Sequence, residues 1–499
     1  MKTMGKFMSL IHISNLTFCY EGSYDNIFEN VSFQIDTDWK LGFTGRNGRG
    51  KTTFLNLLLG KYEYSGSISS SVDFDYFPFE VANKSFNTID IIDSICATYQ
   101  PWQLNRELSL LEVSDDVLYR PFDTLSNGEQ TKIMLASLFL KENNFLLIDE
   151  PTNHLDVNAR KIVSEYLKQK TGFILVSHDR TFLDSCIDHI LSINKTNIEI
   201  QKGNFSTWQT NKEYQDNFEL AENEKLKKDI NRLSESSKRT VNWSDSVEST
   251  KYSTRNSGLR PDRGYIGHKS AKMMKRAKSI ANRRQKAIDE KSNLLKNLET
   301  SDTLSICPIE YKKNRLVEAI DLSISYEERQ VCEGISFTIN RGERIALTGK
   351  NGCGKSSVLK LLMGDTISYK GTLNIGSNLK ISYISQDTSF LKGTLTDFAR
   401  ESQIDESLFM TILRKMDFSR IQFEKEIQHF SEGQKKKVLL AKSLCEQAHL
   451  YIWDEPLNFI DILSRIQIEE LILKCNPTLL FVEHDLSFTQ TIATKHVIL

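Results

Sequence analysis

Two short glycine-rich segments have the residue types that bind phosphate groups. The first reads Gly-Arg-Asn-Gly-Arg-Gly-Lys-Thr over residues 45–52, and the second reads Gly-Lys-Asn-Gly-Cys-Gly-Lys-Ser over residues 349–356. Both match G-x-x-x-x-G-K-[ST], in which backbone N–H groups approach phosphate oxygens and the lysine reaches the β- and γ-phosphates. Each follows an apolar run and precedes a helical pattern, which is the context that this motif requires. The sequence therefore predicts two nucleoside triphosphate sites.

These two turns supply most of the residues that we expect to contact the nucleotide. Glycines allow close approach of the backbone, and the hydroxyl after each lysine would hold Mg²⁺. The predicted contacts are Gly45, Asn47, Gly48, Gly50, Lys51, Thr52 and Thr53 in the first turn, and Gly349, Asn351, Gly352, Gly354, Lys355, Ser356 and Ser357 in the second.

An acidic pair ends an apolar run in each half of the chain. Asp149-Glu150 and Asp454-Glu455 each follow a run of four apolar residues. An aspartate at a strand end suits a water-mediated contact with Mg²⁺, and the adjacent glutamate suits polarising an attacking water. The aspartate lies 98 residues after the lysine of its turn in the first half and 99 in the second. This spacing predicts Glu150 and Glu455 as catalytic residues.

The glycine-rich turn, the acidic pair and three further residues occur twice in the chain, in the same order. Tyr20, Ser126 and His178 match Tyr326, Ser431 and His484 at offsets of 305 or 306 positions. A repeat of this period indicates a duplicated domain, which we place at 9–204 and 314–499. Apolar strand-like runs alternate with helical patterns in both copies, so an α/β fold is expected with its function at the strand ends. Each histidine follows an apolar strand, and we predict that both are catalytic and reach the γ-phosphate.

At this point the chain resembles the ATP-binding-cassette superfamily of P-loop ATPases. The segments Leu-Ser-Asn-Gly-Glu-Gln at 125–130 and Phe-Ser-Glu-Gly-Gln-Lys at 430–435 resemble its signature motif. The resemblance implies that the two cassettes close head to tail around two ATP molecules. The further nucleotide contacts that it implies are Tyr20 and Tyr326 on adenine, and Ser126, Gly128, Ser431 and Gly433 from the signature of the opposite cassette. Together with Gln386, it gives the Mg²⁺ ligands Thr52, Asp149, Ser356 and Asp454.

Three residues depart from the family pattern. Asn127 and Glu432 replace the first glycine of the two signatures, and Phe79 lies where the first cassette should have a glutamine. Gln386 occupies that position in the second cassette. An unpaired Glu432 carboxylate near the triphosphate would disfavour closure of the first site. We therefore expect the first site to turn over more slowly than the second.

The segment 205–313 between the cassettes is predicted to be an antiparallel helical hairpin with a basic tip. Apolar residues recur at helical spacing on both sides of a stretch rich in Ser, Asn, Gly and Pro. From 238 to 286 there are fourteen Lys or Arg and three acidic residues, with Trp243, Tyr252 and Tyr265 among them. Positive charge with interleaved aromatic side chains suits RNA. The predicted RNA contacts are Lys251, Arg255, Arg260, Arg263 and Lys269.

Twin cassettes with a linker hairpin and no membrane domain resemble the ABC-F family. That resemblance implies a cytoplasmic ATPase that binds the ribosome at the tRNA exit site, contacting large-subunit RNA and tRNA, without an obligate protein partner. The monomer would contain its own cassette dimer. Segments 39–52 and 263–278 resemble the subgroup that protects ribosomes against lincosamides, pleuromutilins and streptogramin A. A translation factor for stalled ribosomes, the ATPase subunit of a drug exporter and a DNA-repair ATPase remain alternatives.

Composition is compatible with this assignment. The net charge of −1 does not indicate any class of binding partner. Only the basic segment at 238–286 indicates one, namely RNA. The eight cysteines are scattered without a C-x-x-C pair, which argues against a zinc site or a disulfide framework. No apolar stretch approaches the ~18 residues needed to span a bilayer.

Overall fold

The computed structural model describes residues 9–20, 26–153, 155–194, 197–215, 308–326, 329–350 and 352–499, with isolated positions between 217 and 306. The chain divides into two compact units. One comprises Met1–Trp208 with Asp302–Leu499, and the other comprises Gln209–Ser301. Both predicted cassettes lie in the first unit.

A parallel sheet forms the centre of the first cassette. The strands of this cassette are β1 (Leu10–Phe18), β2 (Phe28–Asp36), β3 (Lys40–Thr44), β4 (Ser65–Ser69), β5 (Asp73–Phe77), β6 (Asn144–Asp149), β7 (Phe173–Val176), β8 (His189–Asn194) and β9 (Asn197–Lys202). The central order is β5-β6-β7-β3-β8-β9, parallel except for the β8–β9 pair, and β2-β1-β4 form an antiparallel sheet. Strands β3, β6 and β7 are apolar runs with little exposed surface, as parallel strands covered on both faces require.

The helices of this cassette lie between its strands along the chain. They are α1 (Lys51–Leu58), α2 (Thr88–Ile95), α3 (Pro101–Leu110), α4 (Asn127–Phe139), α5 (Val157–Lys168) and α6 (Arg180–Cys186). Helix α1 begins directly after the first glycine-rich turn, and α4 begins directly after Ser126. The carboxyl ends of parallel strands share one edge of a sheet, so the strand order brings these chemical residues together.

The second cassette repeats this plan. Its strands are β10 (Arg315–Tyr326), β11 (Arg329–Asn340), β12 (Arg344–Thr348), β13 (Ser368–Ile375), β14 (Ile381–Ile384), β15 (Leu450–Asp454), β16 (Leu479–Val482) and β17 (Lys495–Ile498). The parallel order is β14-β15-β16-β12-β17, with an antiparallel sheet β11-β10-β13. Its helices are α7 (Lys355–Met363), α8 (Leu395–Glu401), α9 (Glu406–Lys415), α10 (Arg420–Phe423), α11 (Glu432–Cys445), α12 (Ile462–Cys475) and α13 (Leu486–Ile492). The predicted α/β fold with two cassettes is confirmed.

The two cassettes share part of their apolar core. Ile462, the first residue of α12, is 3% exposed and belongs to the core cluster of the first cassette, with Ile466 packed against it. An apolar contact of this kind excludes water from the boundary between the cassettes.

The second unit is described only at scattered positions. Described residues from 205 to 231 are helical, as are 268, 271, 272, 275, 278 and 279. Tyr214 and Phe218 are exposed. The predicted RNA contacts Lys251, Arg255, Arg260, Arg263 and Lys269 lie outside the described residues, as does Asn351. Over the described part of the chain, helices are too short or too polar to cross a membrane.

Buried polar contacts fix the helices of the first cassette. The hydroxyl of Tyr166 in α5 donates to Oε2 of Glu107 in α3 over 2.6 Å, and Lys170 also pairs with Glu107. A hydrogen bond to a charged group contributes about 1.5–3 kcal/mol to stability.

We therefore predict that Tyr166→Phe lowers the free energy of unfolding by about 1.5–3 kcal/mol, because it removes that donor from a buried carboxylate. Urea denaturation followed by circular dichroism measures the change. Tyr119→Phe is the matched control because Tyr119 is exposed. Equal denaturation midpoints for the two variants would contradict the prediction.

Candidate nucleotide-binding sites

The two glycine-rich turns have the same backbone conformation. Gly48 and Gly50 have φ angles of 81° and 91°, and Gly352 and Gly354 have 80° and 98°. A Cβ atom at residue 50 would lie 2.5 Å from Cγ2 of Ile27, so this turn requires glycine. Gly45 and Gly349 begin the turns. The N-termini of α1 and α7 follow at once and can face an anion.

Both predicted lysines lie across their own turns. Nζ of Lys51 donates to the carbonyl oxygen of Gly45 over 2.6 Å, and Nζ of Lys355 donates to that of Gly349 over 2.9 Å. Burial lowers the pKa of Lys51, while the carboxylates of Asp461 and Glu150 act to raise it. Asp461 belongs to the second cassette, so a charge from the opposite half of the chain acts on Lys51.

The residues predicted to hold Mg²⁺ come together at the strand ends. Oδ2 of Asp149 accepts hydrogen bonds from Thr52 Oγ1 (3.2 Å) and from the Tyr76 hydroxyl (2.9 Å). Burial raises the pKa of Asp454, and a hydrogen bond from Ser356 opposes that shift. Oδ1 of Asp454 is buried, and no described residue donates a hydrogen bond to it. Hydroxyl and carboxylate oxygens are the ligands that Mg²⁺ prefers, so both sets fit this ion.

The two predicted catalytic glutamates have a backbone conformation that is rare outside glycine. Glu150 and Glu455 have φ angles of 51° and 49°. Backbone strain of this kind clusters at functional sites, where the surrounding structure holds it. Here the N–H of each glutamate donates to the neighbouring strand, at Val176 and Val482. Glu455 lines one cavity with Lys355 and Ser356 of the second turn, and the charge of Lys51 acts on Glu150.

Each predicted histidine contacts the glutamate of its own cassette. Nε2 of His178 lies 3.4 Å from Oε1 of Glu150, and Nε2 of His484 lies 3.5 Å from Oε1 of Glu455. Burial, reinforced by the charge of Lys51, holds the pKa of His178 well below its usual range. His178 is therefore neutral at physiological pH and can hydrogen-bond without adding charge.

The glutamates have different electrostatic surroundings. Burial and the charge of Asp149 raise the pKa of Glu150 to about 8. Burial also acts to raise the pKa of Glu455, but contacts from His484 and Gln386 outweigh it and hold that pKa below its usual range. Nε2 of Gln386 donates to Oε2 of Glu455 over 2.8 Å. Phe79 offers no such donor to Glu150, and in that cassette Tyr76 donates to the adjacent aspartate instead.

The two tyrosines predicted at adenine occupy equivalent places beside the turns. The Tyr20 hydroxyl lies 2.7 Å from Oγ1 of Thr53, and the Tyr326 hydroxyl donates to Oγ of Ser357 over 3.2 Å. Both rings are exposed. Tyr20 also makes edge contacts with the rings of Phe18 and Tyr62.

The predicted signature residues form the N-termini of two helices. Ser126 caps α4 by accepting from the N–H of Glu129, and Ser431 caps α11 by accepting from the N–H of Gln434. Both have a capping box, in which the third helical side chain returns a hydrogen bond. Gly128 follows in α4, where a Cβ atom would meet only one side chain within ordinary contact distance.

Glu432 is paired, which changes one expectation from the sequence. Its Oε2 accepts from Thr388 Oγ1 over 2.6 Å, and its Oε1 accepts from Lys435 Nζ over 2.9 Å. Burial acts to raise the pKa of Glu432, but these two contacts outweigh it and lower the pKa. The carboxylate is therefore compensated, and repulsion by Glu432 no longer supports a slower first site.

Each glycine-rich turn faces the signature of the opposite cassette. In the second site, Ser126 and Gly128 line a cavity of about 900 Å³ together with Lys355, Ser356 and Glu455. In the first site, a Cβ atom at Gly433 would lie 3.0 Å from Nδ2 of Asn47, which donates to the carbonyl oxygen of Phe459 over 2.7 Å. Residues from both halves of the chain thus meet at each site.

The first site has charged contacts between the cassettes that the sequence did not predict. Arg49 Nη2 lies 3.4 Å from the Asp417 carboxylate, and Arg46 Nη1 lies 3.8 Å from it. Arg180 of α6 pairs with Glu469 of α12. Comparison of the two repeats could have singled these residues out, because the second turn has lysine and cysteine at the positions of Arg46 and Arg49.

The opposite side of the interface is more open. Val157 is the counterpart of Ile462 in the repeat, yet it is 39% exposed. It lines a second cavity of about 780 Å³ with Phe182, Gly349 and Leu486. An exposed valine and a cavity therefore occur on this side, although Arg160 Nη1 donates across the interface to the carbonyl oxygen of His484 over 3.2 Å.

Comparison with known proteins agrees with this geometry. The family model described as "ABC transporter" matches residues 28–153 and again 332–458. The ribosome protection protein VmlR of Bacillus subtilis (strain 168) is 27% identical over 494 residues, which cover 98% of this chain and 86% of that protein. The ATP-binding protein Uup of Buchnera aphidicola subsp. Acyrthosiphon pisum (strain APS) is 26% identical over 516 residues, covering 98% and 80%.

A solved structure shares the fold. The archaeal ribosome recycling factor aABCE1, solved in complex with the ribosomal stalk protein aP1, has a TM-score of 0.62 at 18% identity, covering 97% of this chain and 87% of that chain. The two matches of the family model, together with the composite sites that join the cassettes, lead to one assignment. The chain belongs to the ABC transporter family of ATP-binding cassettes and is a twin-cassette ATPase of the ABC-F type.

Proposed function

We propose that this ABC-F ATPase binds the ribosome in the cytoplasm and displaces ribosome-targeting antibiotics by inserting its linker, within 205–313, near the peptidyl-transferase centre. The observation that carries this proposal is the similarity to ribosome protection protein VmlR, which extends over 98% of the chain and so includes the basic segment between the cassettes. The linker would contact large-subunit RNA and tRNA at the exit site. The chain would act as a monomer whose two cassettes pair with each other.

ATP hydrolysis would supply the cycle of closure and release. Water attacks the γ-phosphorus, the bond to the β–γ bridging oxygen breaks, and Glu455 accepts the proton of the attacking water. His484 and Gln386 contact Glu455 and hold it in place. Mg²⁺ held by Ser356 and Asp454 would offset negative charge on the phosphate oxygens. Ser126 and Gly128 from the other cassette would complete the second site at a helix N-terminus.

A translation factor for stalled ribosomes is the main alternative within the family. The relative Uup is named only as an ATP-binding protein. Sequence similarity to VmlR and to Uup therefore does not distinguish between the two functions. Deleting the protein and measuring growth with and without lincomycin separates them. A growth defect that occurs only with lincomycin supports protection of the ribosome. A growth defect without the drug supports the translation factor. Unchanged drug accumulation in the deletion strain argues against a drug exporter.

We predict that changing both Glu150 and Glu455 to Gln preserves ATP binding but slows phosphate release by ~10²–10⁴-fold, because an amide cannot accept the proton. The closed form should accumulate on ribosomes and inhibit translation. Single-turnover phosphate release and co-sedimentation with ribosomes measure these effects. The Lys51→Ala and Lys355→Ala double variant is the control, since it should lose both ATPase activity and drug protection. Wild-type phosphate release from the Gln variant would eliminate these catalytic assignments.

The two sites should contribute unequally to turnover. Glu455 has the glutamine donor Gln386, whereas Phe79 occupies the equivalent position in the sequence of the first cassette. The first site also has ion pairs between the cassettes, while a cavity of about 900 Å³ lies at the second. We predict that Glu455→Gln lowers the steady-state ATPase rate more than Glu150→Gln does. Equal losses, or a larger loss from Glu150→Gln, would refute this asymmetry.

The linker tip should be separable from ATP hydrolysis. We predict that Arg255→Ala, Leu259→Ala and Arg260→Ala together abolish drug protection but leave basal ATPase activity nearly intact, because no nucleotide motif lies there. Ribosome binding by the wild-type protein should fall steeply with salt, as it does when cations neutralise RNA phosphates. Minimal inhibitory concentration, ATPase rate and sedimentation measure the three properties.

Lys225→Ala with Lys228→Ala is the matched control for the linker-tip variant. It removes the same number of positive charges from exposed helical positions outside the tip. This control variant should retain most drug protection. Normal protection by the tip variant at wild-type expression would contradict the proposed role of the tip.

A further inference from the structure

A buried lysine lies at the second nucleotide site without a role in the hydrolysis described above. Lys436, in the second turn of α11, is only 2% exposed. It lines the cavity of the second site together with Lys355, Gln386 and Glu455. An ammonium group removed from water is costly unless hydrogen bonds and opposite charges compensate it. Its partners therefore indicate what it does.

Lys436 connects two parts of the second cassette. Its Nζ donates to the carbonyl oxygen of Ser385 over 3.0 Å, and Ser385 immediately precedes Gln386. Burial lowers the pKa of Lys436, and nearby carboxylates oppose that shift. Those carboxylates, in decreasing order of effect, belong to Glu483, Glu455, Asp454 and Glu432. One side chain thus holds the backbone beside Gln386 and offsets negative charge around the predicted base.

The first cassette has none of these side chains at the equivalent described positions. The counterparts of Lys436, Glu483 and Gln386 are Thr131, Ser177 and Phe79. In that cassette Ser177 Oγ lies 3.2 Å from Thr152 Oγ1. In the second cassette Glu483 Oε1 accepts from the N–H of Leu457 over 2.7 Å. Lys436, Glu483 and Gln386 therefore occur together in the second cassette. All three are absent from the equivalent positions of the first.

We propose that Lys436 is a positioning residue for ATP hydrolysis at the second site, holding the backbone at Ser385 so that Gln386 stays on Glu455. It acts through other groups and need not touch the nucleotide. Loss of the ammonium would release the Ser385 carbonyl, and Gln386 would leave Glu455. Small misplacements of catalytic groups reduce turnover much more than they reduce binding. The inference rests on the proposed roles of Glu455 and Gln386.

The test is the steady-state ATPase kinetics of Lys436→Met, which keeps most of the side-chain volume and removes the charge. We expect kcat to fall by ~10–100-fold, as misplacement by about 1 Å produces, while KM for ATP changes less than about threefold. Lys436→Arg keeps the positive charge and should recover part of kcat. Lys442→Met is the matched control on the same helix, where the partly exposed lysine pairs with Glu446 over 3.1 Å. It should behave like the wild type.

Several results would overturn the proposal. They are a kcat for Lys436→Met within twofold of the wild type, an equal loss in Lys436→Met and Lys436→Arg, or a change in KM alone. If Lys436→Met does not fold, Lys436→Met with Glu483→Gln removes the opposing buried charge and carries the same test. A wild-type kcat in that double variant overturns the proposal.

Glu455→Gln, measured in parallel, separates this inference from the proposed hydrolytic role. If Glu455→Gln turns over normally, the assignment of the base fails. If Glu455→Gln is inactive while Lys436→Met turns over normally, only the inference about Lys436 fails.

Discussion

The contact between each glycine-rich turn and the opposite cassette is the constraint on which the other features depend. Asn47 donates from its side chain to the backbone of Phe459, more than four hundred residues away in the chain. That position lies beside Gly433, so the first turn, the second signature and the loop after Glu455 meet at one place. A nucleotide site is therefore complete only when both cassettes approach. Because the cassettes belong to one chain, their encounter is intramolecular and occurs at a high effective concentration.

The duplication has kept the lysines, acidic pairs and histidines of the two sites, but it has changed the interface around them. Around the first site, Arg180 pairs with Glu469 and Ile462 is buried against the first cassette. At the equivalent positions on the other side, leucine and serine replace the ion pair, and Val157 remains exposed. A partly buried ion pair contributes geometry more than net free energy, whereas an apolar surface gains roughly 25 cal/mol per Å² when it is covered. The first side therefore already has contacts that hold the cassettes together, whereas the second side has exposed apolar surface at Val157 that further closure would cover.

The sequence predicted the parts of this structure that local patterns determine. The glycine-rich turns, the acidic pairs and the α/β order were predictable because their residues are adjacent in the chain or follow a strand period. The contact from Arg49 to Asp417 spans 368 positions, and no local pattern records such a pair. Glu432 shows a different limit. One partner, Lys435, is three residues away and could have been recognised from helical spacing, but Thr388 required the fold.

Helix α11 connects the two sites through its own length. Its N-terminus, at Ser431 and Gly433, lies at the first site beside Asn47, while Lys436 reaches the backbone beside Gln386 at the second site. Ser431 and Lys436 are five residues apart, which corresponds to about 7.5 Å along a helix. A helix changes little in length over that distance, so the separation of Ser431 and Lys436 is fixed. In α4 the equivalent position holds Thr131, which is too short for this reach. Helix α11 therefore contributes contacts near both sites, with Gly433 beside Asn47 and Lys436 beside Gln386.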